Sequence, residues 1–142
     1  MKNTQVLSLK NLSKRFGSVV ANNSVNIELY RGEVLSLLGE NGAGKTTLMN
    51  MLFGHYLPDS GSIDVLGNDG QMRKLVLGHP QASLDAGIGM VHQHFTLAEN
   101  LTVLDNILLG SEKLWAWRHD RNKARNKILK IIDRTGLFAP LD

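Results

Sequence analysis

The sequence predicts an α/β fold, and three observations carry that prediction. Short stretches near the N-terminus alternate apolar and polar residues, a mostly apolar stretch follows at residues 34–38, and helical spacing begins after Gly44. Period-two alternation is typical of half-buried strands, whereas apolar residues recurring every three to four positions are typical of a helix. With 142 residues, 42% hydrophobic and 20% charged, the chain is long enough for a core and is neither disordered nor fibrous.

The elements of the first half follow from these patterns in order. Residues 6–10 and 24–29 alternate and are predicted to be antiparallel strands, with Val25, Ile27 and Leu29 on one face. Residues 34–38 are mostly apolar on both faces, which predicts an interior strand covered on two sides. Helical spacing of apolar residues then predicts a helix that starts near Gly44 and stops at Gly54.

The second half is predicted to contain shorter elements. A turn at 58–61 precedes a small strand with Ile63 and Val65 facing inward, and a second turn follows at 68–70. Residues 72–77 are predicted to form a short helix and residues 88–91 a second buried strand. A helix is expected over 102–109 with Thr102 as its cap, and another over 119–135 that ends at Gly136.

Composition and charge exclude several classes of function. The chain contains no cysteine, which excludes disulfide frameworks, thiolate zinc sites and cysteine nucleophiles. No apolar stretch approaches the ~18 residues of a membrane span, and residues 1–5 lack a secretory signal, so we expect a soluble intracellular chain. The net charge of +3 is concentrated late, because eight Lys or Arg lie between Lys113 and Arg134 against two Asp.

Residues 39–46 carry the strongest chemical signal. They read G-E-N-G-A-G-K-T and match G-x-x-x-x-G-K-[ST], the phosphate-binding P-loop, between a predicted buried strand and a predicted helix. Glycines let backbone N–H groups turn toward phosphate oxygens, and the helix start adds the positive end of its dipole. Lys45 is expected to reach the β- and γ-phosphates and the Thr46 hydroxyl to ligate Mg²⁺. The alternative is a glycine-rich turn that binds nothing.

A family resemblance becomes specific at this motif. Residues 37–49 resemble the Walker A segment of ATP-binding cassette (ABC) transporter ATPases, and residues 30–33 resemble the turn before it. Residues 14–17 resemble the adenine-stacking loop of that family, and residues 87–95 resemble its Q-loop strand. The sequence around Gln93 is most similar to that of importers of simple sugars or nucleosides. The resemblance covers residues 6 to about 137.

The resemblance implies a P-loop NTPase fold, with a RecA-like core and antiparallel β subdomain over residues 1–100 and the start of a helical subdomain over 101–142. It implies ATP and Mg²⁺ as ligands, Phe16 stacked on adenine, and Gln93 in contact with Mg²⁺ or the attacking water. Read without the resemblance, Phe16 is a core aromatic and Gln93 a polar residue after a strand. The implied phosphate cradle comprises Gly39, Glu40, Asn41, Gly42, Ala43, Gly44, Lys45, Thr46 and Thr47.

The resemblance also implies parts that these 142 residues do not contain. The signature segment, the Walker B strand and the switch histidine are not found, and Asp105 and Asp133 lie in helical patterns rather than after an apolar strand. We therefore expect a chain truncated before the signature, which binds ATP without hydrolysing it. In the sheet of that family, the Walker B and switch-histidine strands lie between the two strands that residues 34–38 and 88–91 resemble. Without them, these two segments are expected to lack neighbours.

Three interpretations follow. The first is the N-terminal part of an importer ATPase, peripheral on the cytoplasmic face of the membrane, which works with a transmembrane permease and a second ATPase domain. The second is a nucleotide-binding module without turnover, and the third is another P-loop enzyme such as a kinase or GTPase.

Two further groups of residues have a functional and a structural interpretation. His92 and His94 flank Gln93, but a metal site needs more ligands than these, which favours a hydrogen-bonded or solvent-facing pair. Trp115 and Trp117 lie beside the basic run, a combination that binds nucleic acid in some proteins. A solvated helix face is favoured here over nucleic-acid binding.

Overall fold

The computed structural model describes residues 4–93, 97–111, 121–137 and 140–141, with backbone alone at 110 and 111. These residues fall into two compact units, Met1–Val91 and His92–Asp142. The elements are β1 (Gln5–Phe16), β2 (Val19–Tyr30), α1 (Lys45–Phe53), β3 (Ser60–Leu66), β4 (Met72–Lys74), α2 (Pro80–Asp85), α3 (Val103–Ser111) and α4 (Arg121–Thr135). The division into a nucleotide-binding core with an antiparallel β subdomain over 1–100 and the start of a helical subdomain over 101–142 stays a prediction.

The first unit contains one antiparallel sheet in the order β2-β1-β3-β4. Central strand β1 pairs on both sides, with Leu9 opposite Ile27 in β2 and opposite Ile63 in β3. The alternation predicted over 24–29 is confirmed, because its apolar residues are half-buried while Asn26 and Glu28 are exposed. The sheet thereby presents one apolar face to the rest of the unit.

Helix α1 contributes two of its residues, Leu48 and Met51, to a core that it shares with the sheet. The buried core residues are Leu9, Leu12, Leu48, Met51, Ile63 and Leu75. The helix begins after Gly44 and ends before Gly54, both in the left-handed conformation with φ of 85° and 92°. This confirms the predicted helix, and its first turn is anchored to the sheet through Leu48.

Two predicted strands are not observed. Residues 34–38 and 88–91 belong to no strand, and Val34, Leu38 and Val91 are 92%, 93% and 86% exposed. A strand forms only where a neighbour accepts and donates its backbone hydrogen bonds, and the described residues provide none beside these segments. The strand predictions are wrong, and the expected lack of neighbours is the physical reason.

Residues 72–77 were predicted as a helix, and this prediction is wrong as well. Residues 72–74 pair with the edge of β3, with Val65 opposite Arg73, because the open edge of a sheet outweighs a weak helical pattern. Helix α2 was not predicted, although its first residue, Pro80, suits a helix start. The buried Ser83 ties α2 to α1, donating its hydroxyl to the Leu52 carbonyl at 3.0 Å.

The second unit contains α3 and α4. Thr102 caps α3 as predicted, its Oγ1 accepting from the Asp105 N–H at 3.2 Å. Gly136, with φ of 69°, follows the end of α4 and confirms the predicted stop. Residues 119–120 of the predicted helix, as well as His94, Trp115 and Trp117, lie outside the described residues. None of the helices in the described part of the chain has the length and apolar character needed to cross a membrane.

Candidate functional site: a phosphate loop and an aromatic platform

The loop of residues 39–44 curls back on itself before α1. The Ala43 N–H donates to the Glu40 carbonyl at 3.2 Å, and Gly42 and Gly44 both have φ of 85°. A Cβ added at Gly39 would lie 3.3 Å from the Ala43 Cβ and 3.8 Å from Lys45 Nζ, inside the curl. Glycine at position 39 thus leaves the space beside the Lys45 ammonium free of a further side chain, as a phosphate cradle requires.

Lys45 is held at this loop by two backbone carbonyls. Its ammonium donates to the Gly39 and Glu40 oxygens, both at 2.7 Å. No side chain caps the first turn of α1, so its N–H groups are available at the positive end of the helix dipole. A lysine cation and open helical N–H groups are the donors that a triphosphate needs, so the residues present fit that group.

The remaining predicted loop residues surround these donors. Thr46 is exposed in the first turn of α1, where its hydroxyl is open to a ligand, and Thr47 beside it is half-buried. The exposed members of the loop are Gly39, Glu40, Asn41, Gly42 and Ala43. Hydroxyl oxygen is a ligand that Mg²⁺ accepts, so Thr46 is the residue of this loop that would hold the ion.

Strand β2 forms the floor beneath the loop. A Cβ at Gly44 would lie 2.1 Å from the Ala21 carbonyl oxygen, and Asn22 donates its Nδ2 to the Gly44 carbonyl at 3.4 Å. The same strand begins at Val19, which pairs with Phe16 at the end of β1. At ~3.3 Å per residue, two to three residues of β2 separate the loop floor from that position by roughly 7–10 Å.

Phe16 lies at this end of the sheet and is 46% exposed, which leaves much of its surface open. Its ring contacts Tyr56 edge to face, with centroids 5.5 Å apart and an interplanar angle of 74°. The Lys14 ammonium lies over the same ring, 5.5 Å from its centroid. The aromatic is therefore a supported surface platform rather than the core residue of the alternative interpretation.

Asp59 fixes the end of β1 that carries Phe16. Its carboxylate accepts from Lys14 Nζ at 2.9 Å and from the Arg15 N–H at 2.7 Å, while its own N–H donates to the Ser13 carbonyl at 2.9 Å. The hydrogen bond from Lys14, followed by that from Arg15, lowers the pKa of Asp59 below its usual range. Asp59 was predicted only as part of a turn.

The lowered pKa of Asp59 predicts a contribution to stability that acid removes. Because the folded carboxyl binds its proton more weakly than the unfolded one, the contribution is complete above the unfolded pKa of about 3.9 and is lost as pH falls through the folded value. We expect Asp59→Asn to flatten the acid side of the curve of unfolding free energy against pH, and Lys14→Met to flatten it partly. Urea unfolding between pH 2 and pH 6 measures both, and an Asp59→Asn curve parallel to that of the unaltered chain would contradict the prediction.

Gln93 lies in the second compact unit, where it is exposed, while Phe16 and the phosphate loop lie in the first. Its role beside Mg²⁺ therefore stays a prediction. Asp105 accepts hydrogen bonds from Thr102 and Arg121, at 2.8 and 3.2 Å, as the acidic residue of a helix start. Among the described residues, no three His, Asp or Glu side chains form a group that could hold a metal ion.

Sequence reasoning missed four residues that support the site. Lys14 and Arg15 were quoted only within the resemblance, and neither Asn22 nor Tyr56 was singled out at all. Their contacts join segments that are far apart in the chain, which periodicity does not report. The one available signal was the turn at 58–61, because aspartate in such turns often binds backbone N–H groups.

These features first define a class: a glycine loop and a lysine at the start of an uncapped helix form the P-loop of nucleotide-binding α/β proteins. The family follows from comparison, because the ABC transporter family model matches residues 22–140. The chain belongs to the ABC transporter family. A solved ATP-binding cassette of an ABC transporter in its ADP conformation has a TM-score of 0.72 and 25% identity, over 96% of this chain and 57% of that one.

Individual relatives are import proteins. The guanosine import ATP-binding protein NupO of Bacillus subtilis (strain 168) is 46% identical over 132 residues, which are 93% of this chain and 25% of NupO. The ribose import ATP-binding protein RbsA 2 of Escherichia coli O157:H7 is 40% identical over 136 residues, 96% of this chain and 26% of that protein. The chain thus spans about a quarter of the length of these relatives. The predicted family and P-loop fold class are confirmed, and the kinase or GTPase interpretation is set aside.

Proposed function

We propose that the chain binds ATP with Mg²⁺, with the triphosphate in the loop of residues 39–47. One observation carries the proposal: the Lys45 ammonium lies against two loop carbonyls, beside the uncapped first turn of α1. An incoming phosphate replaces these neutral acceptors with charged oxygens, which form the stronger hydrogen bonds. Thr46 is the proposed Mg²⁺ ligand, and the ion would neutralise charge on the β- and γ-phosphates.

The adenine is proposed to stack on Phe16. Aromatic stacking is worth about 1–3 kcal/mol per base, and the ring is accessible at 46% exposure. We expect Phe16→Ala to weaken ATP binding about 5- to 150-fold and to leave inorganic tripolyphosphate binding unchanged. Isothermal titration calorimetry of the 142-residue chain measures both. Val76→Ala, the removal of an exposed apolar side chain after β4, is the control. Equal weakening of ATP and tripolyphosphate by Phe16→Ala would contradict a base platform.

We propose that these 142 residues by themselves bind ATP without appreciable turnover. Phosphoryl transfer requires a positioned water and a firmly held Mg²⁺, and Asp105 and Asp133 lie within helices α3 and α4 rather than after an apolar strand. Gln93 is proposed to contact Mg²⁺ or the water in the complete assembly. Phosphate release by the purified chain at saturating Mg-ATP tests this, and sustained turnover that Lys45→Ala abolishes would overturn it.

The transport role is a proposal from the relatives, whose names describe import of guanosine and ribose. We propose that the chain belongs to the ATP-binding subunit of an importer for a nucleoside or a sugar. On this proposal it works at the inner face of the membrane with a permease and a second ATPase domain. Uptake of labelled guanosine and ribose by cells with and without Lys45→Ala in the native gene tests the role. Unchanged uptake of both would count against these solutes.

A further inference from the structure

The connection between α1 and β3, residues 54–59, contacts the end of β1 at two points. Tyr56 contacts the Phe16 ring edge to face at 5.5 Å, and Asp59 holds the Lys14 ammonium and the Arg15 N–H. The Lys14 ammonium that Asp59 binds is also the cation over the Phe16 ring. One short connection therefore reaches both the aromatic ring and the backbone that carries it.

This connection continues directly from the helix that starts at the phosphate loop. Gly54 follows the end of α1 with φ of 92°. A Cβ added there would lie 2.7 Å from the His79 carbonyl carbon, so the end of the helix is closely packed. Helix α1 itself is fixed in the core by Leu48 and Met51. The end of α1 is thus held by packing, and Tyr56, two residues further along the chain, contacts the Phe16 ring.

We propose that Tyr56 is a positioning residue for base recognition: its ring holds the Phe16 ring in the orientation that accepts a planar base. The proposal rests on the adenine site proposed above and adds to it a residue that does not itself stack on the base. A half-exposed phenylalanine has several side-chain rotamers, and only some of them present a face to a ligand. An edge-to-face neighbour restricts that choice before binding, and preorganisation of this kind increases affinity.

The test separates the base from the phosphates. The base increment is defined as the dissociation constant of inorganic tripolyphosphate divided by that of ATP, both with Mg²⁺ and both measured by calorimetry. We expect Tyr56→Leu to lower this increment about three- to tenfold, because the planar support is lost. Tyr56→Phe keeps the ring and should keep the increment within about twofold, and the tripolyphosphate constant should remain within about twofold in both variants. Tyr56→Met, which also lacks the ring, replaces Tyr56→Leu if that variant does not fold.

A positioning role for Tyr56 also predicts the behaviour of a double variant. In the Phe16→Ala background there is no ring left to orient, so adding Tyr56→Leu should lower the base increment no further. An unchanged increment in Tyr56→Leu, an equal loss in Tyr56→Phe, or an additional loss in the double variant would each overturn the role of Tyr56. Phe16→Ala without effect overturns the adenine site itself. A Tyr56→Leu variant without effect, where Phe16→Ala is effective, overturns only the positioning role.

Discussion

Replacing Gly44 by alanine is expected to lower the free energy of unfolding by about 2–5 kcal/mol and to abolish measurable ATP binding. Two costs add at this position. The φ of 85° is left-handed, which costs an alanine roughly 1–2 kcal/mol. The new Cβ would also lie 2.1 Å from the Ala21 carbonyl oxygen and 3.2 Å from its carbon, and such overpacking costs about 1–3 kcal/mol. Because β2 is a paired strand of the sheet, the loop rather than the strand should move, and the phosphate cradle is lost with it.

A matched control separates these costs. Gly70, in the turn between β3 and β4, has φ of 76°, but a Cβ added there meets no atom within 4 Å. Gly70→Ala therefore carries the backbone cost without the clash, and should leave ATP binding unchanged. Urea unfolding gives the free energies and calorimetry the affinities. Equal destabilisation by the two variants, with ATP binding intact in both, would show that the contact between Gly44 and Ala21 does not shape the loop.

Local patterns sufficed to predict helix α1 and parts of strands β1 and β2. The helix after Gly44 was predicted because its apolar spacing, its glycine stop and the motif at its start all agree. The β1 and β2 strands were predicted because alternation marks a sheet with one buried face. In each case the residues that carry the pattern also contact the partner that the pattern requires.

Predictions failed where the pattern requires a partner that local sequence does not specify. Residues 34–38 and 88–91 are apolar enough for interior strands, but apolar character gives a preference for burial and provides no neighbour. Residues 72–74 became a strand because the edge of β3 was available to pair with them. The candidate site divides in the same way: the phosphate loop is contiguous and was predicted, whereas the support that Tyr56 and Asp59 give to Phe16 exists only through folding.

Replacing Lys45 by alanine is expected to weaken binding of ATP and of tripolyphosphate alike, by about 100-fold. A hydrogen bond to a charged group is worth about 1.5–3 kcal/mol, and 100-fold corresponds to about 2.7 kcal/mol. The two bonds that Nζ makes to the Gly39 and Glu40 carbonyls are at an exposed loop, so their loss should change the unfolding free energy little. Calorimetry with both ligands and urea unfolding measure these effects, and Lys74→Ala, at an exposed lysine of β4, is the control for lost charge.

The equality of the two losses is the decisive feature, because it assigns Lys45 to the phosphates and Phe16 to the base. A lysine that binds only phosphate oxygens should leave the base increment unchanged, whereas Phe16→Ala removes the increment and leaves tripolyphosphate binding intact. If Lys45→Ala instead lowers ATP affinity and spares tripolyphosphate, the ammonium does not reach the phosphates. If it binds both ligands within about twofold of the unaltered chain, the loop of residues 39–47 is not the triphosphate site.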